Sequence, residues 1–549
     1  MRDVTRRGFI GGGLATGALA AMGAVAACSP QSKSSGESQA NGDGATGYTW
    51  ETKPDDIPES DITEVKEADV IVVGGGPSGF VTAASCAENG LSVILIEKDD
   101  SFNANGGAIF ACNSSYQKSI GYEVDKDAIC QQYLEINGKK VDQKIVWRMF
   151  DRSGEAIDWL AAILDQYGLY PVMQGIGFAD DPDNSAIPGT VVFYGGPNTP
   201  TDVTDYDPYT CDLGLGFVPM VDYLESLSDY IAPMGVVVEY GVSSERIIRQ
   251  GDGRVEGIIA YRTDGKYIRY NAHKAVVIAS GDYGADPEMM GYFCPQAARF
   301  GASLPVVSPN TGDLHRQAMW IGAAMQKWPD HAPSGFCGEA HPIWNLNVNT
   351  RGVRFTNEDT STTSLSWAIL QQPEGVTYSI FDAAYATTLP YVPGYIGAEV
   401  PTPEQMLARW DKYVEEGVYS KADTIEELAE TLGLDAAILA KTVADYNALC
   451  AAGEDTEYHK RADLLFPLSA PFYGFRSGVT MLTAHGGLHV DPSCRVLTAE
   501  DAPIEGLYAV GLAAGDYWAN SYTTRYAGSS HGHNVTTGYL VGREIAGLE

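Results

Sequence analysis

An α/β fold is predicted by three stretches of the chain. Ala68-Asp69-Val70-Ile71-Val72-Val73 is an apolar run of buried-strand type that opens directly into Gly74-Gly75-Gly76-Pro77-Ser78-Gly79. A helix-compatible segment follows and leads to a second apolar run, Ser92-Val93-Ile94-Leu95-Ile96, ending at Glu97. Far downstream, Lys274-Ala275-Val276-Val277-Ile278-Ala279-Ser280-Gly281 and Gly506-Leu507-Tyr508-Ala509-Val510-Gly511 again run from apolar residues into glycine. Continuous apolar strands separated by helices belong to a parallel sheet covered on both faces.

The first turn carries a chemical prediction. Gly74, Gly76 and Gly79 have the G-x-G-x-x-G spacing between a strand and a helix, with an acid 23 residues after Gly74. Gly74 permits the tight turn, Gly76 lets the backbone approach a pyrophosphate, and Gly79 lets helix pack on strand. The helix N-terminus, beginning with Pro77 and Ser78, offers unpaired N–H donors to phosphates. Glu97, followed by Lys98, can accept from ribose hydroxyls. This is a Rossmann-like dinucleotide site.

At 549 residues and 44% hydrophobic composition the chain has room for two or three domains. Residues 1–27 read as an export signal and stand outside the fold. Arg6-Arg7 followed by Phe9 resembles a twin-arginine signal, and Val25-Ala26-Ala27-Cys28 resembles a lipoprotein cleavage box with Cys28 as the lipidated residue. A plain transmembrane anchor is disfavoured, because the run of about 19 residues is built from weakly inserting Gly and Ala. The twin-arginine route exports folded proteins, so a bound cofactor is expected, and Cys28 is the expected link to the membrane on the outer side. A formal net charge of −35 repels phosphate backbones and excludes nucleic acid as a partner. The nine cysteines form no C-x-x-C or haem motif, so neither an iron–sulfur centre nor a haem is encoded, and their pairing stays open. Residues 28–65, rich in Ser, Gly, Asp and Glu, read as a flexible linker. Within it, Asp43-Gly44-Ala45-Thr46-Gly47-Tyr48-Thr49 resembles the D-G-x-T-G-A-T sequence on which FMN is attached to threonine. Thr46 is thus a candidate for covalent FMN. Tyr48 departs from that pattern and the FMN-binding domain is missing, so a low-complexity linker is the competing reading.

The order of further motifs resembles the flavoprotein subunit family of fumarate reductases and succinate dehydrogenases, above all its exported reductases. The marks span about residues 66–549: Gly74–Gly79, Asn105-Gly106-Gly107, Ile157-Asp158-Trp159-Leu160, Ala279-Ser280-Gly281-Asp282-Tyr283-Gly284, Asn310-Thr311-Gly312-Asp313, Gly352 to Glu358, Ala470-Pro471-Phe472-Tyr473, Gly486-Gly487-Leu488 and Gly506–Gly511. The resemblance implies FAD, held by the first turn with Glu97 and Lys98, by Asn105, Gly106 and Gly107, by Ala279, Ser280 and Gly281, and by Gly511 and Ser529. Relatives with covalent flavin carry a histidine before the Gly-Gly pair. Phe102-Asn103-Ala104-Asn105 contains none, so the FAD is expected to be noncovalent. The implied architecture is a discontinuous FAD-binding domain, residues 66–295 and 465–549, with an α+β capping domain, residues 296–464, inserted and carrying helical pieces over Ile425 to Leu449. Substrate would lie between cap and flavin.

The chain departs from the family where a dicarboxylate would be held. After Asn357-Glu358 the family arginine gives way to Asp359-Thr360-Ser361. The proton-donating arginine would fall near Tyr385 or Ala386, the histidine before the Gly-Gly pair becomes Thr483 beside His485, and the C-terminal arginine becomes a small residue near Ser529. Fumarate is therefore excluded as the expected substrate. Tyr522, Gly528 and Gly532 instead match the spacing of exported relatives acting on other activated alkenes, and lead into a closing helix over Asn534 to Ala546 with His531 and His533 at its mouth.

Reduction of a C=C bond needs a hydride, from flavin N5, and a proton with a polarising donor. Tyr522 is the expected proton or oxyanion donor, with Arg525 and Tyr526 as alternatives and Tyr385 as a further acid. The expected function is an exported FAD-dependent reductase of an α,β-unsaturated carbonyl or carboxylate compound, a terminal reductase in anaerobic respiration. Its electrons would come from a cytochrome, a quinol-linked carrier or an FMN protein. A ketosteroid-type dehydrogenase running the reverse desaturation and a lipoprotein binding flavin without turnover are the competing readings. No metal site is expected.

Overall fold

The apolar runs that end in glycine become parallel strands of an eight-stranded sheet in the computed structural model, which describes residues 47–103, 106–173, 189–197, 220–301, 304–337, 344–360, 362–388, 402–522, 526 and 528–549. Numbered along the chain, the strands are β1 (Ile62–Val73), β2 (Val93–Glu97), β3 (Ile109–Phe110), β4 (Tyr170–Met173), β5 (Thr190–Tyr194), β6 (Val237–Tyr240), β7 (Val242–Arg249), β8 (Val255–Arg262), β9 (Lys266–Ile278), β10 (Ala332–Cys337), β11 (Leu346–Val348), β12 (Val376–Asp382), β13 (Ser420–Ala422), β14 (Phe472–His485), β15 (Arg495–Leu497) and β16 (Pro503–Ala509). The large sheet runs β15-β16-β9-β1-β2-β6, with β8 added to β9 and β7 to β8. Its centre is parallel: Val72 lies opposite Leu95 on one side and Val277 on the other. Because side chains alternate across a strand, Ile71, Val73, Ile94 and Ile96 pack in one part of the core and Val70, Val72, Val93 and Leu95 in another. Burial on both faces explains why these strands read as unbroken apolar runs.

Two helices close one face against the turn after β1. Helix Pro77–Glu88 lies against the closing helix Ser529–Ile545, and two glycines set their spacing. A Cβ on Gly542 would come within 2.4 Å of Ser85 Oγ, and one on Gly538 within 3.0 Å of Ser78 O. Ser85 Oγ also donates to Tyr539 O at 2.7 Å. The closing helix starts at Ser529, five residues earlier than its apolar stripe indicated, because Gly528, at φ +76°, supplies the left-handed residue that launches it. His531 and His533 therefore lie inside its first turns and not at its mouth.

The capping layer is a five-stranded antiparallel sheet, β10-β14-β12-β11 with β13 on β14. Helices Ile425–Leu432 and Ala436–Ala452 lie over it, capped by Thr424 and Asp435 and separated by Gly433 in the left-handed region. Three boundaries move. Strand β14 was assigned by sequence to the second FAD-binding segment, but it pairs with β12 and β10, so the inserted layer extends to His485. Helix Asp313–Trp320 was assigned to the cap, but it is bonded to the FAD-side strand β7 through Gln317 and Ser244. The linker reading for 28–65 is also too long. β1 begins at Ile62, and Trp50 is buried against Tyr292 and Phe293 at ring separations of 5.3 and 5.2 Å. One aromatic anchor in a polar stretch is invisible to composition. Cys28 and Thr46 lie outside the described residues.

Candidate active site

The turn after β1 is shaped by its glycines. Gly74 has φ +119°, and a Cβ there would sit 2.3 Å from Ala279 O. A Cβ on Gly79 would sit 1.9 Å from Gly74 O. At Gly76, by contrast, the nearest heavy atom to a Cβ would be Asn103 O at 4.0 Å, so the backbone faces open space. Gly76 also caps the helix without any side-chain bond, leaving its N–H donors for an anion. This cradle fits a pyrophosphate. Glu97 is buried, with Oε2 accepting from Gly75 N at 2.6 Å and Oε1 from Asp99 N at 3.0 Å. Each oxygen keeps a lone pair for a ribose hydroxyl, while the acid also fixes the turn itself. Lys98 beside it is half-buried.

Other expected cofactor residues gather around the turn. Ala279 N donates to Val73 O at 2.8 Å, and Gly281, at φ +75°, leaves no room for a Cβ beside Asn310 Nδ2. Ser280 Oγ is buried without a partner among the described residues, as a group that meets a ligand would be. Gly511, at φ +62°, packs on Ser78 Oγ and Asn534 Oδ1 and donates to Thr537 Oγ1 at 3.2 Å, which joins the turn to the closing helix. Gly106 O accepts from Met220 N and Gly107 O from Tyr223 Oη, both at 2.9 Å. Asn105 lies outside the described residues.

The segment between Gly511 and the closing helix builds a buried aromatic cluster. Tyr522 stacks on His485 with centroids 4.1 Å apart and planes 18° from parallel. Trp518 meets His485 edge-on at 4.7 Å and His533 at 5.0 Å, and Tyr517 stacks on His533 at 4.7 Å. His485 Nε2, Trp518 Nε1, Tyr517 Oη and His533 Nδ1 are buried polar atoms without a partner among the described residues. Burial and the nearby His533 push the His485 pKa down to about 3, and burial does the same to His533, so both rings are neutral. Burial raises Tyr522 to about 12 against an opposing hydrogen bond with Ser529, so its phenol keeps its proton.

The other tyrosines are held elsewhere. Tyr526 Oη bonds to Gln132 Oε1 at 2.8 Å and Ile129 O at 3.2 Å, and its ring packs on Phe110, Tyr133 and Phe150. It fastens the segment to helix Lys126–Ile136. Tyr385 belongs to a different cluster under the cap, against Phe381, Trp410 and Phe466. Arg525 lies outside the described residues. Near the lost family arginine, Arg461 approaches from another part of the chain, bonded to Asp359 at 2.6 and 2.9 Å.

Sequence reasoning gave no role of its own to Asp282, which lies in the turn after β9. Burial pushes its pKa up, and it accepts from Ser308 Oγ, from Asn310 Nδ2 at 3.0 Å and from Ala484 N at 2.7 Å. It ties the end of β9 to the residue before His485. Among the described residues no cluster could hold a metal ion and no helix is long and apolar enough to cross a membrane. Cys86, Cys112, Cys130, Cys294, Cys450 and Cys494 are free thiols.

Comparison with known proteins agrees with this geometry. The FAD binding domain family matches residues 69–532. A urocanate reductase of Eggerthella lenta is 27% identical over 492 residues, covering 86% of this chain and 74% of its own. Among solved structures, the open conformation of a flavocytochrome c3 fumarate reductase superposes with TM-score 0.66 at 22% identity, over 89% of this chain and 79% of that one. A 3-ketosteroid delta1-dehydrogenase from Sterolibacterium denitrificans does so with TM-score 0.67 at 22% identity, over 88% and 100%.

Proposed function

Since the chain belongs to the FAD binding domain family and is an FAD-dependent oxidoreductase acting on CH–CH bonds, we propose that it reduces the activated C=C bond of an α,β-unsaturated carbonyl or carboxylate compound other than fumarate. FAD bound on the glycine turn supplies a hydride from N5. The chain's own part is to bind and polarise the alkene and to deliver one proton. Tyr522 is the proton or oxyanion donor in this reading, because a buried phenol held protonated to about 12 can bond to a developing enolate oxygen without being ionised beforehand. Neutral His485 and Trp518 Nε1 add uncharged donors, and the aromatic walls favour a planar conjugated substrate. A relative named for reducing urocanate, a ring-bearing unsaturated acid, supports the substrate class.

The observation that carries the proposal is the Tyr522–His485 stack beside a neutral His533, in a place where a fumarate reductase would need cations. We place the enzyme outside the membrane, exported through its twin-arginine leader and held by lipidated Cys28, as a respiratory terminal reductase fed by an external cytochrome, quinol-linked or FMN carrier. The test is reoxidation of the dye-reduced holoenzyme by a panel of unsaturated acids, enones and steroids. Rapid reoxidation by a non-dicarboxylate alkene is expected, and Tyr522→Phe should slow it at least about tenfold with FAD content unchanged. Fumarate as the best oxidant, or net reduction of an oxidised dye by a saturated ketone, overturns the proposal.

A further inference from the structure

Both ring nitrogens of His489, three residues after Gly486, meet carboxylates. Nδ1 lies 2.6 Å from Asp516 Oδ2 and Nε2 lies 2.7 Å from Asp501 Oδ1, while the side chain is 6% exposed. A neutral imidazole has one N–H and could satisfy only one of them, leaving the other carboxylate against a lone pair. The doubly protonated ring satisfies both with charge-assisted bonds.

Asp516 is a non-glycine residue at φ +65° and needs to be held there. Its Oδ2 also accepts from Val490 N at 3.2 Å, and its Oδ1 from Lys327 N at 3.2 Å. Its own N donates to Gln326 Oε1 at 3.1 Å, and its O accepts from Asp142 N at 2.8 Å. The next residues along the chain are Tyr517 and Trp518, and Tyr522 follows. We propose that the His489 imidazolium is a positioning residue: by clasping Asp501 and Asp516 it fixes the turn that presents Tyr517, Trp518 and Tyr522, and deprotonation releases that turn. This rests on the function proposed above for the same cluster.

The charged groups facing His489 are Asp516, Asp501 and Lys327, whose Nζ also reaches Asp501 at 2.7 Å; Asp491, two residues on, is taken up by Arg495. Burial alone would lower the His489 pKa, but the bonds to Asp516 and then Asp501 outweigh it and hold it above the ordinary value. A folded pKa raised in this way means that the clasp is complete below the ordinary histidine value of about 6.5 and is lost as pH rises through the folded pKa. His315, His331, His485 and His533, lowered to about 4, 3, 3 and 3, are silent in that range.

The test uses the FAD-loaded full chain with ring-labelled histidine. The resonance missing from His489→Gln should titrate above the ordinary histidine value; a midpoint at or below that value overturns the proposal. In steady state the wild type should lose kcat on the alkaline side with that midpoint. His489→Gln should lack this limb and run about tenfold slower in kcat, with KM and FAD content kept. A uniform loss of FAD or of thermal stability, with the limb retained, overturns it. Asp501→Asn, an exposed change that spares Asp516, should move the limb down by about half a unit or more, and an unmoved limb counts against the clasp. If no alkene is turned over, the proposed function falls, and near-ultraviolet dichroism of Tyr517 and Trp518 decides the clasp: it should change with the same midpoint in wild type and stay flat in His489→Gln, while a flat wild-type signal overturns it.

Discussion

The glycine turn over Gly74–Gly79 and the aromatic segment over Asp516–His533 are joined through Gly511, yet they are built by opposite means. The turn is made of main chain: its shape follows from where a Cβ cannot fit, and its ligand would be met by N–H groups. The aromatic segment is made of side chains whose neighbours come from far along the chain, His485 from the end of β14 and His489 from the loop after it. A main-chain site tolerates almost any change around it and almost none within it. A side-chain site depends on each partner and on the protonation of each partner.

The sharpest way to break the contrast is inside the turn. Gly79→Ala puts a methyl 1.9 Å from Gly74 O, backbone against backbone, and should cost more than about 3 kcal/mol and abolish FAD retention. Gly76→Ala meets nothing closer than 4.0 Å, so it should fold with an unchanged melting temperature and still lose at least about tenfold in FAD affinity. Calorimetry and FAD titration read the two apart. Equal melting temperatures for both variants would mean that the turn has slack.

The next largest effect tests the side-chain principle in the capping layer. Arg354, 3% exposed, bonds to Glu358 at 3.0 and 2.8 Å and to Asp455 at 2.7 Å, while buried Lys460 lies 3.4 Å from Glu358. Two buried cations thus meet two buried carboxylates, with half-exposed Glu457 at 3.6 Å from Arg354. Glu358→Ala strands the cations and should cost about 3–5 kcal/mol in urea denaturation. A loss below about 1 kcal/mol would show that water reaches the network.

The same division governs what the sequence discloses. Glycines at a strand end state their reason for being there, so the strand–turn–helix–strand from Val70 to Glu97 was legible. The capping boundaries were not, because the alternating burial of β14 reads the same whichever sheet it joins. Gly528 and Gly532 look like breakers, yet Gly528 starts the closing helix, and Gly532 sits in its first turn where a Cβ would strike Phe110 O at 2.3 Å. In the aromatic segment spacing singled out Tyr522, but its stacking on His485 and the capture of Tyr526 by Gln132 depend on contacts that no local pattern encodes.

A third effect is smaller per residue and comes from protons. His315, His331, His485 and His533 are buried neutral with folded pKa values of about 3 to 4, so the unfolded chain binds their protons first as pH falls below about 6.5. Stability should be complete above that pH and decline between there and about 4, at no more than about 1.4 kcal/mol per unit for each histidine. His489, whose pKa is raised, pulls the other way. Urea titrations from pH 7.5 to 5 check this, and a flat curve would mean that these rings are solvated in the folded protein.

The smallest effect sharpens the contrast most, since it compares two tyrosines four residues apart. Tyr526→Phe removes an Oη bonded to Gln132 and Ile129 but keeps the ring contacts with Phe110 and Phe150. It should cost about 1 kcal/mol of stability. Its kcat should stay within about twofold of wild type, against the tenfold or greater loss for Tyr522→Phe. Tyr526 holds the segment to helix Lys126–Ile136, whereas Tyr522 lies on His485 with its phenol protonated. A kcat loss in Tyr526→Phe equal to that in Tyr522→Phe, with stability unchanged, would reverse the two assignments and bring the alternative sequence candidate back to the substrate.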